Sequence, residues 1–219
     1  MFSFLKKKNI TIDSVLIPTF GWNKIENSKF VRKWGNPEQT AILSLNFFSI
    51  KPDLPTVKDL DYLKSFYRNT ISTVNGGLIN VDTLTLNYST AVKTIFKVSQ
   101  EEYGMVYIAS LTIPFEDYSF VVKIQAVESG MTGLRDSVIL NKLMESGEVL
   151  FENEEIKNWF SDPYDSDFKQ GVLMNKSENE KYDNEFPDHP LTISRSMINK
   201  ISKEIILKPE LETIASFNK

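Results

Sequence analysis

The sequence predicts an α+β fold: an antiparallel sheet meander with helices packed on it as an α/β/α sandwich, followed by a C-terminal arm and helix. Three observations carry that prediction. Successive segments between residues 78 and 127 alternate apolar and polar positions with a period of two. Short turns join them, which favours hairpins over parallel crossovers. Two stretches with helical apolar spacing, near residues 57–74 and 134–143, bracket that run, so their apolar stripes have a sheet to cover. A chain of 219 residues is long enough for a domain with a core plus an extension. The expected division is a sandwich over residues 1–148 and an extension over 149–219 packed on the same domain.

Taken in order, Ile12, Val15 and Ile17 alternate up to Pro18 and predict a strand over residues 11–20, ended by the proline. Phe30 to Trp34 reads as a short strand before the turn Gly35-Asn36-Pro37. Thr40 to Phe48 is a clear strand, with Ala41, Leu43, Leu45 and Phe47 on one face and Ser44 and Asn46 on the other. Pro52 and Pro55 break it. Thr56 is the expected N-cap of a helix with Asp59 in its first turn, and Val57, Leu60, Leu63, Tyr67, Ile71 and Val74 form the stripe. Asn75-Gly76-Gly77 is the expected stop, because these residues tolerate the left-handed conformation.

Four strands follow: Leu78–Tyr88, Ala91–Val98, Met105–Ile113 and Tyr118–Val127. In the second of them Val92, Thr94, Phe96 and Val98 alternate with Lys93, Ile95 and Lys97. Thr132 is the expected cap of a second helix carrying Leu134, Val138, Ile139, Leu140 and Leu143, closed by Ser146-Gly147. Glu152 to Phe160 reads as one or two helical turns. A third helix is expected from Pro190, a favourable first-turn residue, through Leu191, Ser194, Ile198, Ile201 and Ile205 to Pro209, with the last ten residues a short helix or a frayed end.

Composition excludes several functions. Net charge −4 and a pI near 5.2 argue against a nucleic-acid surface, which needs a concentrated positive field. The absence of cysteine removes disulfides, thiol catalysis, iron–sulfur clusters and cysteine-based zinc sites. No stretch approaches the length of a transmembrane helix. Phe2, Phe4 and Leu5 precede Lys6-Lys7-Lys8, the reverse of a secretory leader, and read as a frayed terminus or a strand edge. The expectation is a soluble, cytoplasmic protein.

The order of elements, with two strands, an amphipathic helix ended by Asn75-Gly76-Gly77, the meander, then a helix opened by Gly130-Met131-Thr132-Gly133, resembles the Mog1/PsbP-type α/β sandwich over roughly residues 10–147. Proteins of that fold are mostly non-enzymatic, among them a nuclear-transport GTPase partner, a photosystem accessory subunit and bacterial proteins of unknown role. The resemblance implies a binding or accessory protein.

No Walker-type loop, GxGxxG after a strand, GxSxG or HExxH is present. The segment from Trp159 to Pro190 is the part least like ordinary packing sequence: it holds eight carboxylates, six aromatic residues and the sole histidine, His189. Asp162, Asp165 and Asp167 depart from a calcium loop in spacing and lack its central glycine and closing glutamate. His189, between Asp188 and Pro190, has no recognisable nucleophile beside it and reads as a surface histidine at a helix start. Arg135 falls in a helical first turn, where a cation is disfavoured, so it should have a carboxylate partner nearby. So many aromatics in one stretch fit an arm docked on the sandwich better than a solvated linker.

The functional expectation is a non-enzymatic protein-binding or accessory protein, without cofactor or catalytic or metal residues, an immunity-type inhibitor being one form. Its partner is another protein, and the acidic balance suits a basic one through electrostatic steering. The candidate partner-binding residues are Trp159, Phe160, Asp162, Tyr164, Asp165, Tyr182, Phe186, His189 and Arg135. The alternative is a small-molecule-binding or hydrolytic enzyme using His189 with nearby carboxylates. It requires His189 to face a pocket with a hydroxyl or carboxylate in reach.

Overall fold

The computed structural model describes residues 10–101 and 103–218. Phe2, Phe4, Leu5 and the lysine run lie outside the described residues. The chain enters through a 3-10 turn, Ile12–Ser14, whose Thr11 hydroxyl accepts from the Asp13 N–H. The strand expected over 11–20 is therefore only β1 (Val15–Leu16). β2 (Asn23–Asn27) was not expected, because its sequence NKIEN holds a single apolar residue. β3 (Val31–Gly35) and β4 (Ala41–Phe48) follow as read.

α1 (Leu60–Ser72) starts later than expected. Asp59 rather than Thr56 caps it, accepting from the Tyr62 N–H, while the Thr56 hydroxyl accepts from the Lys58 N–H. Asn75 alone takes the left-handed turn, at φ 52°, and Gly76 and Gly77 open β5 (Gly76–Leu86) instead of closing the helix. β6 (Ser89–Ser99), β7 (Met105–Pro114) and β8 (Ser119–Val127) complete the meander. α2 (Leu134–Glu145) has Gly133, at φ 72°, in place of Thr132 at its N-cap, with no side-chain cap. Glu128 supplies the missing acceptor, taking the Gly133 N–H at 3.3 Å.

In place of the helical turns expected from Glu152, the chain forms the hairpin β9 (Leu150–Glu152) and β10 (Glu155–Lys157). Asn153 and Glu154 both have positive φ, the geometry of a two-residue hairpin turn. The arm then adds β11 (Phe160–Ser161) and β12 (Met174–Asn175), which pair with each other, and 3-10 turns at Lys176–Glu178 and Glu180–Glu185. α3 (Pro190–Glu204) ends before Pro209, because β13 (Ile206–Leu207) turns extended to pair with β1. A 3-10 turn, Pro209–Leu211, and an antiparallel bridge from Ser216 to Phe115 stand where a short helix or a frayed end was expected.

The sheet has seven strands in the order β2-β3-β4-β8-β7-β6-β5, antiparallel at every step. α3 closes one face. Its Leu191, Ile198 and Ile201 sit among Leu43, Leu45, Ala109, Leu111, Val122 and Ile124, all buried. α1 covers the other face at β5 and β6, where Leu63 clusters with Leu78, Val81 and Val92, and reaches β7 through Tyr67 and Thr112. A smaller cluster of Ile139, Leu143, Val149, Trp159 and Tyr182 fixes the arm beneath α2.

Candidate functional site

The expected site, Trp159 to Pro190, is held by charges contributed from every layer. In β6, Lys97 shares the parity of Ile95 and so points into the face closed by α3. Its ammonium meets Glu178 at 2.7 Å with both side chains buried. The other Glu178 oxygen accepts from the Tyr107 hydroxyl at 2.9 Å, and the Asn175 N–H adds a third contact at 2.8 Å. Burial first, and then the neighbouring Glu178 carboxylate, push the Tyr107 hydroxyl well above its ordinary range.

Arg135 is 1% exposed and finds its carboxylate far along the chain rather than locally. Its guanidinium donates to the Ser177 and Asn179 carbonyls, the Thr192 hydroxyl and Asp183, the last at 2.9 Å. Arg195 of α3 donates to both oxygens of the same Asp183 at 2.6 Å and to the Glu178 carbonyl. Asp136 accepts from the Asn175 amide and the Ser177 hydroxyl. A buried charge is tolerated only when paired and hydrogen-bonded, and these groups satisfy one another. The cluster clasps the arm to sheet, α2 and α3.

His189 is the N-cap of α3. Its Nδ1 accepts from the Leu191 N–H at 3.2 Å, which places the ring proton on Nε2, 3.4 Å from Glu128 Oε1. The ring also meets Tyr107 edge-on. Burial pushes the Glu128 carboxyl up, but the His189 contact and the Gly133 and Met105 N–H groups outweigh it and hold the group below its usual value. Beside this pair lies a groove of about 290 Å³ lined by Met131, Leu134, Phe186, Pro187 and Asp188 among others.

Earlier in the arm, Asp162 accepts from the Tyr164 and Asp165 N–H groups and faces Arg68 of α1, which also pairs with Asp165 at 3.1 Å and stacks on Phe168. Among the described residues no three His, Cys, Asp or Glu side chains come together in a way that could hold a metal ion. The Tyr164 hydroxyl accepts from the Val81 N–H at 2.8 Å and donates to the Val81 carbonyl at 3.2 Å, as a strand residue would. The Val172 N–H donates to the Gly76 carbonyl. The outer edge of β5 is thus partly capped by the arm.

Of the nine expected residues, Trp159, Asp162, Tyr182 and Arg135 are buried and face the body of the chain. His189 has both ring nitrogens engaged. Phe160 and Tyr164 are exposed, and Asp165 and Phe186 are partly so. Lys97, Glu178, Glu128, Arg195 and Arg68 were not singled out in the sequence. Lys97 alone carried a signal, standing in phase with Ile95.

The second surface is the open part of the sheet. Registered rows run Ile42–Gln125–Ile108–Phe96–Leu78 and Val31–Asn46–Val121–Thr112–Val92 from the β3–β4 side towards α1, with the polar row Lys33–Ser44–Lys123–Ser110–Thr94 between them. Leu78 and Val92 are buried, Ile108 and Val121 partly, and Ile42 is 40% exposed. Phe48 and Ile25 are exposed as well. Among the described residues no helix is long and apolar enough to cross a membrane.

No family model and no curated protein matches the chain. Among solved structures it is similar to cyanobacterial PsbP (CyanoP) from Synechocystis sp. PCC 6803, with 12% identity over 61% of this chain and 85% of that one and a TM-score of 0.39. It is similar to the Ran-binding protein Mog1p of Saccharomyces cerevisiae, with 13% identity over 59% of this chain and 74% of that one and a TM-score of 0.35. A structure from Bacteroides thetaiotaomicron matches 50% of this chain at 12% identity and a TM-score of 0.32, and the match spans only 37% of that protein. Mog1p and a PsbP protein are thus among the structures this chain is similar to, as the resemblance in its sequence implied, and the likeness is one of fold.

Proposed function

We propose that this chain is a non-enzymatic binding protein that receives another protein on the open part of its sheet. The observation that carries this reading is the asymmetry of the sheet. One face is closed by α3, while the other is covered over β5 and β6 and at Thr112 of β7, leaving Ile42, Phe48 and Ile25 exposed beside partly buried Ile108 and Val121. Ile42 and Phe48 flank a polar strip of Lys33, Ser44, Lys123 and Ser110 on this face, a mixture of apolar and polar groups like that of non-obligate protein interfaces. Much of the arm packs on the chain itself, with Trp159, Asp162 and Tyr182 buried. Both nitrogens of His189 hold the fold, so neither is free to take a proton from a substrate, which speaks against the hydrolytic alternative.

An immunity-type inhibitor of a toxin is one form of this reading. Net charge −4 suits a basic partner, whose association should slow as salt rises. The test is capture of the partner from the native cell, followed by hydrogen exchange of the complex. Protection is expected in β4 and β8, and Ile42→Glu should abolish capture without lowering stability. Undiminished capture by Ile42→Glu would remove the sheet face from the reading.

A further inference from the structure

We infer that the groove between the N-terminal turn of α2 and residues 185–190 receives a basic side chain, lysine or arginine, from a segment of a partner protein. This rests on the chain being a protein-binding module, but not on the sheet face. The groove has apolar walls. Met131 and Leu134, three residues apart, are 77% and 48% exposed, and Phe186, Pro187 and Pro190 face them. Its exposed rim is acidic, with Glu185 and Asp188, while Glu128 lies beneath it with its oxygens engaged.

The positive groups nearby do not cancel that rim. Arg135 lies behind Phe186 with its guanidinium committed to the interior and to Asp183. His189 turns Nε2 towards Glu128 and Nδ1 towards the Leu191 N–H, so both ring nitrogens are engaged within the chain. Lys142 reaches Glu185 at 3.2 Å from an exposed position, and Glu128 is taken up by His189 and the Gly133 and Met105 N–H groups, so an incoming cation competes with Lys142 at Glu185 and meets exposed Asp188 unopposed. A long side chain with an apolar stem and a cationic head satisfies both features: the stem lies along Leu134 and Phe186 while the head meets the rim. A volume of about 290 Å³ accommodates one such side chain. A phosphate or carboxylate would meet the rim's repulsion, and a purely apolar residue would leave the rim unused.

The chain's single histidine makes the test local, because one set of imidazole resonances reports the groove. Nα-acetyl-lysine methylamide titrated into the full chain should shift the His189 resonances saturably. The neutral Nα-acetyl-norleucine methylamide should bind about fivefold more weakly, the scale of one partly exposed ion pair. Asp188→Asn and Glu185→Gln should each weaken the lysine probe about two- to fivefold with the melting temperature unchanged. Equal binding of the norleucine probe would overturn the assignment. So would cadaverine binding as tightly as the lysine probe, which would mark a free-amine site, or a shift that grows with protein concentration alone, which would mark a second copy. Ile42→Glu should leave the lysine response intact. If partner capture is lost in Ile42→Glu but unchanged in Asp188→Asn with Glu185→Gln, the groove reading falls and the sheet reading stands.

Discussion

Glu178 takes contacts from Lys97, Tyr107 and Asn175 in a fully buried position, so each partner depends on the others' charge and geometry. Glu178→Gln keeps the shape but leaves the Lys97 ammonium without its counter-charge, and should cost about 3–5 kcal/mol in urea unfolding. Lys97→Met combined with Glu178→Leu should cost less than Glu178→Gln alone, since no charge is left stranded. Glu128 supplies a pH test. Its carboxyl lies below the ordinary 4.5 in the folded state, so its contribution is complete above that value and is lost as pH falls through the lower folded value. The stability difference between wild type and Glu128→Gln should therefore shrink between pH 6 and pH 3.

Elements were legible where periodicity was unambiguous. The meander follows from strict alternation, and α3 from Pro190 and the spacing of Leu191, Ile198 and Ile201. β2 was not legible, because a single isoleucine among polar residues gives no period. The hairpin over Leu150–Lys157 was misread because its Glu-rich sequence suits a helix, and only the positive φ of Asn153 and Glu154 decides otherwise. The arm's aromatics led to the expectation that it docks, but the place of docking was illegible, because its contacts with the body join residues far apart in sequence, such as Tyr164 with Val81. Gly77 shows what that docking demands. A Cβ there would overlap the Val172 carbonyl, so no side chain fits between β5 and the arm. Gly77→Ala should destabilise the chain by about 1–3 kcal/mol. It should also speed limited proteolysis between residues 163 and 173, while Gly35→Ala, whose Cβ meets only the Ile25 side chain at 3.9 Å, should leave that cleavage rate unchanged.

At the scale of the whole molecule the C-terminal third completes the fold that the first part begins. Leu191, Met197, Ile198 and Ile201 of α3 are buried on the sheet. At about 1.5–3 kcal/mol each, their loss is comparable to the roughly 5–15 kcal/mol that holds a typical domain together. A chain ending at Gly147 should therefore lack a cooperative unfolding transition and bind a hydrophobic dye, and a two-state melt from it would contradict this account. Lys97 gives the dependence a direction in time. Its carboxylate lies 81 residues further on. At about 5–20 residues per second of synthesis, the ammonium waits roughly 4–16 s for Glu178 to leave the ribosome. During that interval a charge stands on the surface that must later become dry. The nascent meander cannot bury that patch against a wrong partner, and the sheet stays open until the helix meant for it has been made.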